Sequence, residues 1–410
     1  MPSLRNWRKK RVTESNDKKV PALRFKGFTD DWEQRKLGEI VQRINRKNVN
    51  LTSTLPLTIS AQYGLIDQRN FFDKQIASEK LEKYILLKKG EFAYNKSYSR
   101  NYPFGAIKRL NNYKFGALST LYIAFKPVTI DTEYLEQYFD STKWYKEIYK
   151  RATEGARNHG LLNISSQDFF YSLLTIPLGT LEQKKIAKLL KTISSLLDLQ
   201  QRKLEQIKLL KKAMLQKILA ETDNPYPKLR FFGFSNTWKK YTVNSLFKIS
   251  RGYVLSTTLT EANKSAHNPY PVYSSQTKNN GLMGYYNKYL YENAITWTTD
   301  GANAGTVNYR SGKFYCTNVC GVILSDKVDA NQLIAEELNT VSKRYVSYVG
   351  NPKLMNNVMA NIKIIIPDQY KERQQISQLF SRQDIFKDVY QRKQNVLKIL
   401  KQFLLQNMFI

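Results

Sequence analysis

Apolar positions along this chain follow two periods, and each period is met twice. Residues 20–179 hold short β-type runs at 56–60, 90–94, 117–125 and 171–176, with one stretch of helical spacing at 133–151. A longer helical pattern follows: Ile186, Leu190, Ile193, Leu197, Leu204, Ile207, Met214 and Ile218 fall in a four-three alternation, with Gln200 and Lys211 at two polar seam positions. Residues 221–366 repeat the mixed plan, with the helical stretch at 330–348, and a second long pattern over 370–409 carries Ile376, Phe380, Phe386, Tyr390, Leu397, Leu400, Leu404 and Met408. These patterns predict two α/β (α+β) domains, at 20–178 and 221–366. Each is followed by a long α-helix, at 179–220 and 367–410, and residues 1–19 form a basic arm. A helix of that length spans about 60 Å, and one amphipathic stripe is not stable alone in water. Either the two helices pack on one another as a coiled-coil spacer, with polar residues such as Gln200 fixing their register, or the imperfect seam faces solvent.

The repetition reaches individual residues. Pro-x-Leu-Arg-Phe-x-Gly-Phe-x-x-x-Trp stands at 21–32 and again at 227–238, a shift of 206. Residues 176–218 realign without a gap on 366–408 at a shift of 190, matching Glu182 to Glu372 and Asp198 to Asp388. A period that long marks a duplicated domain, not a solenoid. A duplicated pair keeps what builds the fold and varies what selects a target. Arg24/Arg230, Phe25/Phe231, Phe28/Phe234 and Trp32/Trp238 therefore read as scaffold or partner contacts.

Composition narrows the partner. The 410 residues are 42% hydrophobic, enough for a core in each domain, and 65 Lys and Arg against 34 Asp and Glu give a net charge of +31. Such an excess predicts a polyanion, with nucleic acid ahead of a membrane surface because no basic amphipathic lipid-anchoring helix is present. No apolar run approaches the ~18 residues of a membrane span, and residues 1–19 lack the apolar core of a signal peptide, so the expected location is cytoplasmic. The two cysteines, Cys316 and Cys320, lie in a stretch at 314–324 that reads as one buried strand and predicts small core residues, not a disulfide or zinc site.

Tools for catalysis are absent from the sequence. The two histidines, His159 and His267, have no second metal ligand at a recognised spacing, and Gly301-Ala-Asn-Ala-Gly305 lacks the third glycine and the Lys-Ser/Thr of a nucleotide loop. Asn268-Pro-Tyr-Pro271 has the wrong order for an adenine methyltransferase motif. His159 sits in Gly-Ala-Arg-Asn-His-Gly at 155–160, to which residues 350–357 of the second copy offer no sequence counterpart. No bound cofactor is expected in this chain.

Polar loops carry the candidate chemistry instead. In the first copy Asn95, Lys96, Ser97, Tyr98, Arg100 and Asn101 follow a strand, with Lys108 and Arg109 just beyond and Arg157, Asn158 and His159 in the later loop. In the second copy Thr298, Thr299, Asp300 and Asn303 take the equivalent place, with Lys278 ahead of them. Asn and Gln pair bidentately with adenine, Arg and Lys with guanine, and aromatic rings pack on sugars or thymine methyls. These residues are the candidate DNA contacts.

The order of parts, the duplicated opening motif, the Ile-Pro and Glu-Gln-x-x-Ile helix start at Ile176, Pro177, Glu182, Gln183 and Ile186, and the Gly-Ala-Arg loop together resemble the specificity subunits of type I restriction-modification enzymes over nearly the whole chain. The second helix start departs from the pattern with Glu372-Arg373, and the second Gly-Ala-Arg loop is missing. The resemblance implies two target-recognition domains, each reading one half of a bipartite double-stranded DNA site, and helices that set the gap and recruit two modification subunits. Those partners would bind S-adenosylmethionine and methylate adenine, and two restriction (motor-nuclease) subunits would add cleavage dependent on ATP and magnesium. Two basic readers suit half-sites about one helical turn, ~34 Å, apart. A self-sufficient repressor or architectural factor is the alternative. An RNA-binding role has no recognised RNA module behind it.

Overall fold

The computed structural model describes residues 20–71, 81–99, 101–152, 161–221, 224–275 and 278–410. Two compact units divide the chain, and the division falls inside both long helices: one unit is the chain up to Leu199 with Gln394–Ile410, the other is Gln200–Lys393.

In the first unit two antiparallel-rich sheets carry the domain. One orders its strands Val41–Arg43, Ile123–Pro127, Phe92–Asn95 and Ala106–Arg109; the other orders them Gly64–Asp67, Pro56–Ser60, Phe115–Leu118 and Ile85–Lys88. The second unit has one six-stranded sheet, in the order Phe247–Arg251, Cys320–Ser325, Tyr291–Thr298, Val307–Cys316, Tyr270–Tyr273 and Leu282–Tyr286. The long helices run Thr180–Ile218 and Tyr370–Asn407. The fold is the mixed helix and strand architecture expected from the two periods.

Three expected elements are interrupted, each for a local reason. The stretch 117–125 is two strands, parted by a turn in which Tyr122 N–H donates to Ser119 O at 3.2 Å. The expected helix 133–151 is two helices, Thr132–Asp140 and Tyr145–Arg151. Ser141 breaks it: its hydroxyl donates to Tyr138 O at 2.6 Å and accepts from Lys143 N–H at 3.2 Å, and its backbone turns extended. The single strand expected at 314–324 is likewise two, with Cys316 closing one and Cys320 opening the next. Both cysteines are free and buried. Burial pushes the Cys320 thiol up to about 11 and the Cys316 thiol higher, which makes them inert core residues.

The duplicated opening motif has one structural task in both units. Arg24 Nε and Nη2 donate to Glu182 Oε1 and Oε2 at 2.7 and 2.9 Å; Arg230 makes the same fork on Glu372 at 2.7 and 2.8 Å. The carboxylates are buried, with 3% and 0% of their side chains exposed. Glu372 also accepts from Trp238 Nε1 at 3.2 Å. The motif's glycine is required in both copies because the backbone turns there at φ 92° at Gly27 and 90° at Gly233.

The strand after each tryptophan pairs antiparallel with the strand before each long helix, in matching register. Glu33 faces Ile176 and Lys239 faces Ile366. At the other end of the motif, Leu23 N–H donates to Asn407 O at 2.9 Å and Leu229 N–H to Lys217 O at 2.8 Å. Each domain is thus tied at one side to the start of one long helix and at the other to the end of the other.

Within each unit the helix segments pack on one another and on the domain, so the seam does not face solvent. In the first unit Ile186, Leu190 and Ile193 share a core with Tyr134, Leu404, Met408 and Phe409. In the second, Ile218 and Leu219 share one with Leu333, Ile376 and Phe380. There Gln383 lies against Met214, Asp384 against Lys211 and Tyr390 against Lys203, so the pairing is antiparallel. The second helix differs from its expected seam: Phe386 and Leu400 are exposed, while Gln383 and Gln394 are buried. Spacing decides this, because 376, 380, 383, 387, 390, 394, 397, 401, 404 and 408 keep a strict alternation that Phe386 and Leu400 leave.

The two seam lysines have partners at equivalent places, whereas Gln200 Oε1 is buried with no partner among the described residues and so does not fix the register as expected. Lys211 donates to Glu336 at 2.6 Å and to Asp384 at 2.7 Å; Lys401, its match at a shift of 190, reaches Asp140 at 3.4 Å. Burial opposes the charge on Lys211, but the two carboxylates hold its ammonium above the usual lysine range. Nearby, the carboxyl of Glu337 is buried; its Oε1 accepts from Ile365 N–H at 3.0 Å, and its Oε2 has no partner among the described residues. Burial pushes this carboxyl up to about 7. The N-caps Asp131 and Asn331 align the two domain helices at a shift of 200, which puts the neutral Gln137 in the first copy at the place of Glu337.

Two predictions follow from this packing. Arg230→Ala leaves Glu372 buried without its cation and is expected to destabilise the second unit by about 3–5 kcal/mol in chemical denaturation; a loss under about 1 kcal/mol would contradict the clamp's role. Because the folded carboxyl of Glu337 titrates above its unfolded value, its favourable contribution is full in acid and is lost as pH rises toward about 7. The stability difference between Glu337→Gln and wild type should therefore move in the variant's favour between pH 5 and pH 8, and a constant difference would refute the assignment.

Candidate nucleic-acid interface

The candidate loop of the first copy leaves the strand Phe92–Asn95. Asn95 Oδ1 accepts from Ser97 N–H at 2.9 Å, turning the chain out of the sheet. Across the sheet stands Gly105, at φ 77°; a Cβ there would lie 2.1 Å from Asn95 O, so glycine is what lets the two strands close. Lys96 Nζ donates to Ile164 O at 3.3 Å, Ser97 pairs with Leu161, and Ser99 and Tyr102 exchange backbone hydrogen bonds at 3.0 and 3.1 Å. Ser97, Tyr98 and Asn101 are exposed. Arg100, Arg157, Asn158 and His159 lie outside the described residues.

Lys108 and Arg109 face a different environment. Lys108 Nζ donates to Asp140 Oδ1 at 2.8 Å, and Arg109 donates to Thr132 Oγ1 at 3.0 Å and lies 3.7 Å from Glu136. Burial opposes ionisation of Asp140, yet Lys108 and Lys401 hold it below the usual carboxylate range. Lys108 and Lys401 line a cavity of about 350 Å³ with Tyr102 and Trp144. They hold the domain's sheet, its helix and the last helix together.

In the second copy the equivalent loop is more enclosed. Thr298 and Thr299 are buried, and Thr299 Oγ1 donates to Asp300 Oδ2 at 2.7 Å. Asn303 Nδ2 donates to Ser275 O at 3.3 Å. Lys278 stands in a short 3-10 turn, residues Lys278–Gly281, ahead of the strand Leu282–Tyr286.

A second segment joins this loop, and sequence reasoning passed it over. Asp300 pairs with Lys353, Gly301 N–H donates to Pro352 O at 2.9 Å, and Leu354 N–H to Thr299 O at 2.8 Å. Residues 347–353 form a hairpin closed by two hydrogen bonds between Ser347 and Lys353, at 2.8 and 2.9 Å, with Gly350 at φ 75°. Its signal was in the sequence: aromatic and basic residues around Gly350-Asn-Pro352, hidden because the expected helix 330–348 absorbed them. The observed helix Gln332–Val341 ends earlier.

Among the described residues, no group of three His, Cys, Asp or Glu side chains is placed to hold a metal, and no helix is long and apolar enough to cross a membrane.

Comparison with known proteins agrees with this architecture. A family described as the type I restriction modification DNA specificity domain matches residues 235–398. An open reading frame of Mycoplasma pneumoniae named as the N-terminus of a type I specificity subunit is 38% identical over 132 residues, 31% of this chain and 67% of that protein. Another from the same organism, also named as a type I specificity subunit, is 36% identical over 132 residues, but the match spans only 35% of its length. The crystal structure of a type I restriction-modification S subunit from M. genitalium superposes with a TM-score of 0.69 at 14% identity, covering 95% of this chain and 99% of that one, and so shares the fold. The duplicated frame and these matches establish that the chain belongs to the family of type I restriction-modification specificity subunits.

Proposed function

We propose that each unit reads one half of a bipartite double-stranded DNA site, and that the chain supplies recognition and no chemistry of its own. The contrast between the copies carries this reading: the clamp, the strand pair and the loop anchors repeat, while Asn95–Asn101 and Thr298–Asn303 differ at nearly every side chain. A net charge of +31 supplies the sequence-independent attraction to phosphates, and the loops supply selection. The loop residues Asn95, Lys96, Ser97, Tyr98, Arg100 and Asn101, with Arg157, Asn158 and His159, would read the first half. Asp300, Asn303 and Lys278 would serve the second, and the buried Thr298 and Thr299 would have to open to join them. Lys108 and Arg109, already paired with acceptors, would have to give up those pairs to hold phosphates.

The long helices would set the gap and dock two modification subunits. Leu199, Val396, Ile399 and Phe403 in the first unit, and Leu209, Leu210, Ile385 and Phe386 in the second, stand exposed on helix surfaces that a partner would cover. Those partners would bind S-adenosylmethionine and methylate adenine, and two restriction subunits would add ATP- and magnesium-dependent cleavage, all in the cytoplasm.

Replacing residues 20–178 with the corresponding domain of a relative tests the modular reading. The recognised sequence should change in one half only, as read by mapping methylated bases; a change in both halves or in neither would contradict it.

A further inference from the structure

The two copies anchor a second loop in the same way, although its residues share nothing. In the first, Leu162 N–H donates to Lys96 O at 3.0 Å and Ser97 pairs with Leu161; in the second, Leu354 N–H donates to Thr299 O at 2.8 Å and Asp300 pairs with Lys353. Both anchors lead into a short helix, Ser166–Phe170 or Asn356–Asn361, and then into the strand that meets the opening motif. The segment ahead of Leu161 is the one that carries Gly155-Ala-Arg-Asn-His-Gly160, and its positional partner is the hairpin 347–353. The second copy therefore keeps the position whose sequence motif it lost.

The hairpin carries exposed apolar side chains on a backbone held at both ends. Tyr348 is 71% exposed and Val349 93%, and they stand side by side at the tip. Tyr345 and Met355 flank them, 46% and 54% exposed. Lys343, Arg344 and Lys353 are exposed with no carboxylate partner among the described residues. The backbone that carries them is tied at Ser347, Gly301, Thr299 and Asp300, so the apolar tip is held in place. Cations around a rigid apolar tip match the division of labour at a DNA groove. Positive side chains hold phosphates and fix register, and apolar groups meet thymine methyls or base steps.

The geometry points to the hairpin 347–353 as a second specificity element of the second unit, with Tyr348 and Val349 in apolar contact with the bases and Lys343, Arg344 and Lys353 on the flanking phosphates. This rests on the reading of the chain as a DNA-specificity subunit and adds residues to it. Because Tyr348 and Val349 lie outside the core, removing them leaves the fold intact.

The test uses the tagged full chain purified from its host with the subunits it retains, presented with a pool of randomised duplexes whose bound fraction is sequenced. For Tyr348→Ser with Val349→Ser, base preference should weaken by about tenfold or more at positions in one half-site, with the other half and the melting temperature unchanged. Lys343→Ala with Arg344→Ala should weaken all duplexes alike and flatten the salt dependence. Unaltered preference in both halves for the first variant, or loss of retained subunits with preference unaltered, would overturn the hairpin's assignment while leaving DNA reading in place. No enrichment by the wild-type chain would overturn both.

Discussion

A buried carboxylate forked by an arginine is the interaction on which the rest of this molecule rests. Glu182 and Glu372 stand at the first turns of the long helices, almost without exposure, and without Arg24 or Arg230 each would be buried with no cation against it. The fork settles three things together: where the opening motif lies, where the helix begins, and how the strand after the tryptophan meets the strand before the helix. A bidentate guanidinium–carboxylate pair is directional, so it fixes an angle as well as a contact. That is a reason for both copies to keep Arg, Gly, Trp and Glu while much else has changed.

With the frame held at that point, the far end of each domain is free to vary. The loops at Asn95–Asn101 and Thr298–Asn303 leave equivalent strands and receive equivalent backbone hydrogen bonds, but their side chains have diverged. Even the sheets differ, two of four strands in one unit and one of six in the other, without disturbing the clamp. The polar residues inside the helix packing belong to the frame: Lys211 and Lys401 occupy matched positions and find carboxylates on the domain helices.

Much of this was legible in the sequence because it is periodic or repeated. Helical spacing located both long helices to within a few residues, and the shifts of 206 and 190 exposed the opening motif and its helix as a pair. The partner of Arg24 was not legible, since Glu182 is 158 residues away and only folding brings them together. Ser141 broke a helix by a side-chain hydrogen bond that periodicity does not register, and three residues sufficed to turn the cysteine stretch back on itself. The hairpin at 347–353 was missed for a related reason: its aromatic and basic residues continue a helical pattern into a loop, and its equivalent position shows only when its anchors are compared with those of the other copy.

The central claim is that this chain alone decides which DNA sequence its complex acts on. The most direct measurement is a map of methylated adenines across the host genome with the gene intact and with it deleted. The account predicts that one bipartite motif, two short half-sites separated by a fixed gap, loses methylation on both strands while every other methylated motif is unchanged. Retention of that pattern after deletion, or loss of a single continuous motif instead, would contradict it.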